Sequence, residues 1–172
     1  MRRQPRPTHL SRTHPSVAAV DAARYAPRMS IDDTGTIRVS RRIPVAPEHA
    51  FDAWVIPALA RRWLFATPTG QIVRCEIDAR PRGSFVITDR RDGEDVEHIG
   101  TYTEVERPGR LAFTFGVPKY SGDLSSVNVT VAADGDGCVV TVENLHVPPE
   151  WRTQTEQGWS ELLGTVEAIL TD

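Results

Sequence analysis

Asn144 and His146 stand two residues apart near the end of an alternating segment, so a strand there would carry both side chains on one face. Such a pair can hold a carbonyl or hydroxyl of a small molecule, and an imidazole that titrates near neutrality can also serve as a general base. It can equally be a solvated strand end that caps the turn at Pro148-Pro149. His98 lies on another alternating segment and has the same two readings, the plain one being expected. Six aromatic residues, Trp63, Phe85, Tyr102, Phe113, Phe115 and Trp159, and Leu163 lie on elements expected to face a common interior, although strand parity leaves open which face is the concave one. Apolar walls with a few polar points are the usual composition of a ligand cavity. They are also the composition of a filled core, and the pattern alone does not separate the two.

Carboxylates gather on two neighbouring segments as Asp89, Asp95, Glu97, Glu104 and Glu106. Paired carboxylates can do acid and base chemistry when burial splits their pKa values. The interleaved Arg90, Arg91 and Arg107 make cross-strand ion pairs on an outer face the expectation instead. The five histidines, at positions 9, 14, 49, 98 and 146, are too scattered for a metal centre. Cys75 and Cys138 sit within predicted strands without Cys-x-x-Cys spacing, which predicts buried thiols in a cytoplasmic protein. Gly-x-Ser-x-Gly, the P-loop and Gly-x-Gly-x-x-Gly are all absent, which removes the commoner hydrolase and nucleotide readings. No cofactor is expected.

The elements that must position these residues follow from period and punctuation. Thr36 to Pro44 alternates through Ile37, Val39 and Ile43, interrupted by Arg41, and predicts a first strand. Pro47 opens a short helix carrying Phe51, Trp54 and Val55, and Pro57 a second carrying Leu59, Trp63 and Leu64. Six further strands are predicted over 72–79, 84–89, 97–106, 111–116, 125–133 and 139–145, joined by turns such as Asp92-Gly93 and Pro108-Gly109. From Pro149 to Asp172 the period becomes helical. Trp159, Leu162, Leu163, Val166, Ile169 and Leu170 fall on one face of a rod about 30 Å long. The pattern predicts an α+β fold, β-α-α-β6-α, in which a curved antiparallel sheet of about seven strands wraps the long C-terminal helix.

At 172 residues the chain is long enough for one domain with a real core. Residues 1–35 are expected to be a disordered Arg/Pro-rich extension and 36–172 the domain. The first 28 residues carry six arginines and one acid; subtracting these from the chain's 20 basic and 23 acidic residues leaves 14 and 22, a net charge of about −8. An acidic body argues against nucleic acid as a partner. The extension is read as an upstream stretch preceding a true start at Met29, with a transit segment as the alternative. No apolar run approaches 18 residues, so no membrane span is predicted and the expected location is cytoplasmic.

Four stretches resemble a known family. They are Ile43-Pro44-Val45-Ala46-Pro47-Glu48 followed by Phe51; Arg62-Trp63; Gly100-Thr101-Tyr102 with Pro108-Gly109-Arg110-Leu111-Ala112-Phe113-Thr114-Phe115; and Gly158-Trp159 with Leu162 and Leu163. In this order they are similar to the START-like or SRPBCC (Bet v 1-like) superfamily, the helix-grip fold. Within it the chain looks most like the family named after the activator of the heat-shock protein 90 ATPase. The sequence departs from the pattern at Asn144, where many relatives carry histidine, and residues 1–35 do not resemble the namesake's additional N-terminal domain. The resemblance implies a cavity between the closing helix and the sheet.

The leading expectation is therefore a non-enzymatic binder of an apolar or amphipathic, lipid-like ligand, held by Trp63, Phe85, Tyr102, Phe113, Phe115, Asn144, His146, Trp159 and Leu163. A cyclase or aldol-type enzyme using His146, Tyr102 or a carboxylate is the first alternative. A chaperone-cofactor-like interaction module is the second, and a homodimer also stays open.

Overall fold

A computed structural model of the chain describes residues 28–32 and 34–172. Among these, eight strands form one antiparallel sheet: Arg28–Ile31 (β1), Ile37–Ile43 (β2), Gln71–Ile77 (β3), Ser84–Arg91 (β4), Glu94–Glu106 (β5), Arg110–Phe115 (β6), Ser125–Asp134 (β7) and Gly137–Leu145 (β8). Their spatial order is β1-β2-β8-β7-β6-β5-β4-β3, so the six strands after the two short helices run as a meander and β2 closes against the last of them. The seven expected strands are all present. The eighth, β1, lies inside the stretch expected to precede the domain and pairs with β2 from Arg28↔Ser40 to Ile31↔Ile37. Backbone pairing along an open edge holds this segment, which four residues of sequence do not signal. Residues 1–27, with the expectations placed on them, lie outside the described residues.

Curvature comes from local irregularities in the ladder. The register shifts between Ile72 and Arg74 and again between Tyr102 and Glu104, and such bulges bend a strand and increase its twist. β5 is 13 residues long, pairing with β4 through Thr101 and with β6 from Tyr102 onward. Gly100 lies at this changeover. A Cβ there would come 1.9 Å from the Thr114 carbonyl oxygen and 2.5 Å from the Phe85 ring. Only glycine lets the strand pass so close.

Pro47–Val55 (α1) and Pro57–Ala60 (α2) each begin with proline at the helix start, where the missing N–H would have had no helical acceptor. They bury Phe51 and Trp54 against β7 and β8, and α2 rests on β3. The indole N–H of Trp63 donates to the Ala53 carbonyl at 3.0 Å, and its ring meets Trp54 edge-on at 4.7 Å.

The closing helix, Arg152–Thr171 (α3), follows a 3₁₀ turn at Pro149–Trp151 and packs across β2. Trp159, Leu163 and Val166 are its buried residues. Arg41, which broke the apolar alternation of β2, forms an ion pair with Glu167 of α3, and Gly164 lies over its guanidinium. An inward-pointing cation is thus matched by a carboxylate from the helix above it.

Candidate functional site

A cavity of about 970 Å³ opens between α3, His98 of β5, the ends of β4, β6 and β8, the start of β7, and the loop after β6. One wall is aromatic. The Phe65 ring lies parallel to His98 at 4.7 Å and to Phe115 at 4.9 Å, with Trp159 inclined edgewise to it at 5.9 Å. Its rim carries Tyr120, Leu124 and Trp151, which are 58%, 58% and 44% exposed and account for half of the large apolar side chains left open to solvent among the described residues.

Strand parity places the polar residues of the wall. On β8 the buried row Cys138, Val140, Val142 ends in Asn144, which is 2% exposed. Across the sheet Asn144 stands in line with Val127, and Val127 with Phe113, so an amide continues an apolar row. Its Oδ1 accepts the indole N–H of Trp159 at 3.1 Å. Because indole only donates, this bond fixes the amide's orientation and leaves Nδ2 as a buried donor without a partner among the described residues.

The face expected for Asn144 and His146 together does not extend to the histidine. β8 ends at Leu145, and His146 takes a left-handed backbone at φ 53°, which leaves its side chain exposed at the cavity rim while Asn144 stays buried in the wall.

β4 supplies a correction. Asp89 was expected on an outer charged face, but Phe85, Ile87, Asp89 and Arg91 alternate along the inner face and Asp89 is fully buried. Thr67 donates its hydroxyl to Asp89 Oδ2 at 2.7 Å, and Arg91 Nε lies 3.0 Å from the same oxygen. That contact is an ion pair off hydrogen-bond alignment, for Nε and Asp89 Oδ1 both lack a directed partner. Thr67 and Arg91 face the cavity. The neighbouring carboxylates behave as expected: Asp95 pairs with Arg90 at 2.7 Å and Glu104 with Arg110 at 2.6 Å, all substantially exposed. Arg107 instead bridges to Asp52 of α1.

Of the residues expected to hold a ligand, Phe115, Asn144, His146 and Trp159 border the cavity. Trp63, Phe85, Tyr102, Phe113 and Leu163 pack in the core. Their inward orientation follows the pattern, but Trp54 from α1 fills the space above them, 6.5 Å from Phe113 and 4.7 Å from Trp63. Phe65, Arg91 and His98 also line the cavity and were not among the residues expected to hold a ligand. Burial lowers the imidazole of His98 from 6.5 to about 4, although the Ile87 carbonyl hydrogen-bonded to its Nδ1 pulls the other way. A carbonyl only accepts, so Nδ1 bears the proton and the ring is neutral. Burial also pushes the Tyr102 hydroxyl up. Cys75 and Cys138 are free, with burial raising both thiols. No group of three or more His, Cys, Asp or Glu able to hold a metal occurs among the described residues.

Residues 44–171 match the family described as Activator of Hsp90 ATPase homolog 1-like protein. The chain belongs to that family. Solved structures agree on the fold. Protein Ms6760 from Mycobacterium smegmatis superposes with a TM-score of 0.71 at 18% identity, over 83% of this chain and 95% of that one. The AHSA1-like protein from Aeromonas hydrophila gives 0.69 at 23% identity, over 77% and 90%, and CalU16 from Micromonospora echinospora gives 0.62 at 19%, over 85% and 84%. No curated protein matches significantly. The family's helix-grip architecture is present in full, a curved sheet around a long C-terminal helix, and no helix among the described residues is long and apolar enough to cross a membrane.

Proposed function

We propose that the protein binds an apolar or amphipathic small molecule of lipid-like character in the cavity beneath α3, acting as a carrier or sensor in the cytoplasm. The observation that carries this reading is the stack of Phe65, His98 and Phe115 facing a cavity of about 970 Å³ with apolar side chains at its rim. That volume lies within the range of small-molecule sites, and desolvation of an apolar ligand there contributes about 25 cal/mol per Å². Binding of this kind needs no catalytic group. The cyclase or aldol alternative requires His146, Tyr102 or a carboxylate to move protons at an enclosed substrate, whereas His146 is exposed at the rim, Tyr102 sits in the core and Asp89 is held by Thr67 and Arg91.

The test is titration with N-phenyl-1-naphthylamine, a neutral probe whose fluorescence rises in apolar surroundings. One saturable site per chain is expected, weakened in Gly158→Leu, which puts a side chain into the cavity from α3. A linear, unsaturable response would refute the reading.

A further inference from the structure

Arg91 is the one lysine or arginine on the cavity wall among the described residues, and it is held in a built setting. Asp89, fully buried, lies against its Nε, and Thr67 donates to the same carboxylate oxygen. Fork-to-fork alignment, the strong geometry for an arginine and a carboxylate, is not used between them. Neither Nη nitrogen of Arg91 has a hydrogen-bond partner among the described residues, and neither is counted among the buried unsatisfied atoms. The guanidinium therefore presents a planar pair of free N–H donors to the cavity. Its surroundings fix what lies beside it: Arg91 acts electrostatically on His98, whose ring stacks on Phe65 at 4.7 Å. A charged fork and a flat aromatic wall thus meet at one end of the cavity.

Resting on the binding reading above, we infer that Arg91 is the head-group anchor and that the ligand is an aromatic carboxylate, its acid joined directly to a flat ring system. The carboxylate takes two parallel N–H bonds from the Nη side of Arg91, while Asp89 keeps its place behind Nε. The ring system extends the stack of Phe65 and Phe115. A long flexible spacer between acid and ring would carry the ring past this wall, so directly linked acids fit best. The acidic body slows the approach of an anion but does not remove the selectivity of a desolvated arginine fork.

The test compares 2-naphthoate with 2-ethylnaphthalene, which share a ring system and differ in the acid, using calorimetric titration of the full chain at neutral pH. In the wild type, 2-naphthoate should bind at least about tenfold more tightly. Replacing Arg91 alone would leave Asp89 buried without its cation, so the variant is the double substitution Asp89→Asn with Arg91→Gln. There the two compounds should bind within about twofold of each other. Equal affinities in the wild type, or a preference for the acid that survives in the double variant, would overturn the assignment while leaving the cavity reading intact. Failure of both compounds to bind the wild type would overturn both.

Discussion

The indole N–H of Trp159 and the amide oxygen of Asn144 lie 3.1 Å apart and join the closing helix to the last strand of the sheet. This bond is buried at both ends, so losing one partner leaves the other without water to replace it. Asn144→Val, which would extend the row of Val140 and Val142, is expected to cost about 1–3 kcal/mol despite its better apolar match. Trp159→Phe should cost a similar amount, and the double variant less than the sum of the two. Trp159→Ala removes ring and bond together and should cost about 3–5 kcal/mol, with probe binding lost as well. Urea unfolding of the four variants measures this, and an unchanged midpoint in Trp159→Ala would contradict the placement of the indole.

Gly158, one residue before that tryptophan, gives a prediction of opposite sign. A Cβ at this position meets nothing within 4 Å. Gly158→Ala should therefore stabilise the helix by up to about 1 kcal/mol. Gly158→Leu should keep much of that gain while filling part of the cavity, so the melting temperature rises as affinity for N-phenyl-1-naphthylamine falls. A rise in both would show that position 158 does not face the site.

Phe65 holds a left-handed backbone at φ 60° in the turn that follows α2, a conformation glycine adopts most readily. The three-ring stack offsets a strain of about 1–2 kcal/mol. Phe65→Ala loses the ring and keeps the strain, and should cost about 3–5 kcal/mol. Phe65→Gly loses the ring and relieves the strain, and so should be the more stable of the two although it is smaller. Thermal unfolding of the pair decides it.

His98 ties stability to pH. Its imidazole sits at about 4 in the folded chain against 6.5 as the reference, because burial disfavours the charged form. Between these values the unfolded chain binds a proton that the folded chain does not, so stability decreases as pH falls through this window. The loss approaches about 1.4 kcal/mol per pH unit and is on the order of 3 kcal/mol in total. Asp52, whose carboxyl is held low chiefly by its hydrogen bond from Arg107, loses its contribution only as pH drops below 3.8 and further. Urea midpoints between pH 6.5 and 5 thus isolate the histidine, and His98→Phe should flatten the curve there.

Much of the architecture was legible because period and turns agreed. The meander from β3 to β8 follows alternating residues punctuated by glycine turns, and Asp92-Gly93, with φ 52° and 79°, forms a hairpin tight enough to carry β4 and β5 to Arg91 and Glu94, beyond the predicted ends. That Phe113 and Phe115 share a face with Leu111 follows from the same alternation, whereas which face is the concave one does not. The boundary between core and cavity was not legible, because it depends on where Trp54 and α1 stop filling the concavity. The polar end was obscured for another reason. Asp89 and Arg91 read as part of an acidic and basic cluster by nearness in sequence, whereas counting by twos from Phe85 puts them inside. Phe65 carried only the signal of an aromatic following Trp63 and Leu64, and its left-handed turn has no sequence mark.

Gly100 divides what this scaffold can change from what it must keep. Descendants of the chain can exchange Arg91, Phe115 or Gly158 and so alter what they hold, since each of these meets open space on at least one side. Position 100 has the Thr114 carbonyl 1.9 Å from any added carbon, and no choice of cargo relaxes that clash. Lineages of this fold that diverge completely in specificity should still have a bare α-carbon where the fifth strand changes partners.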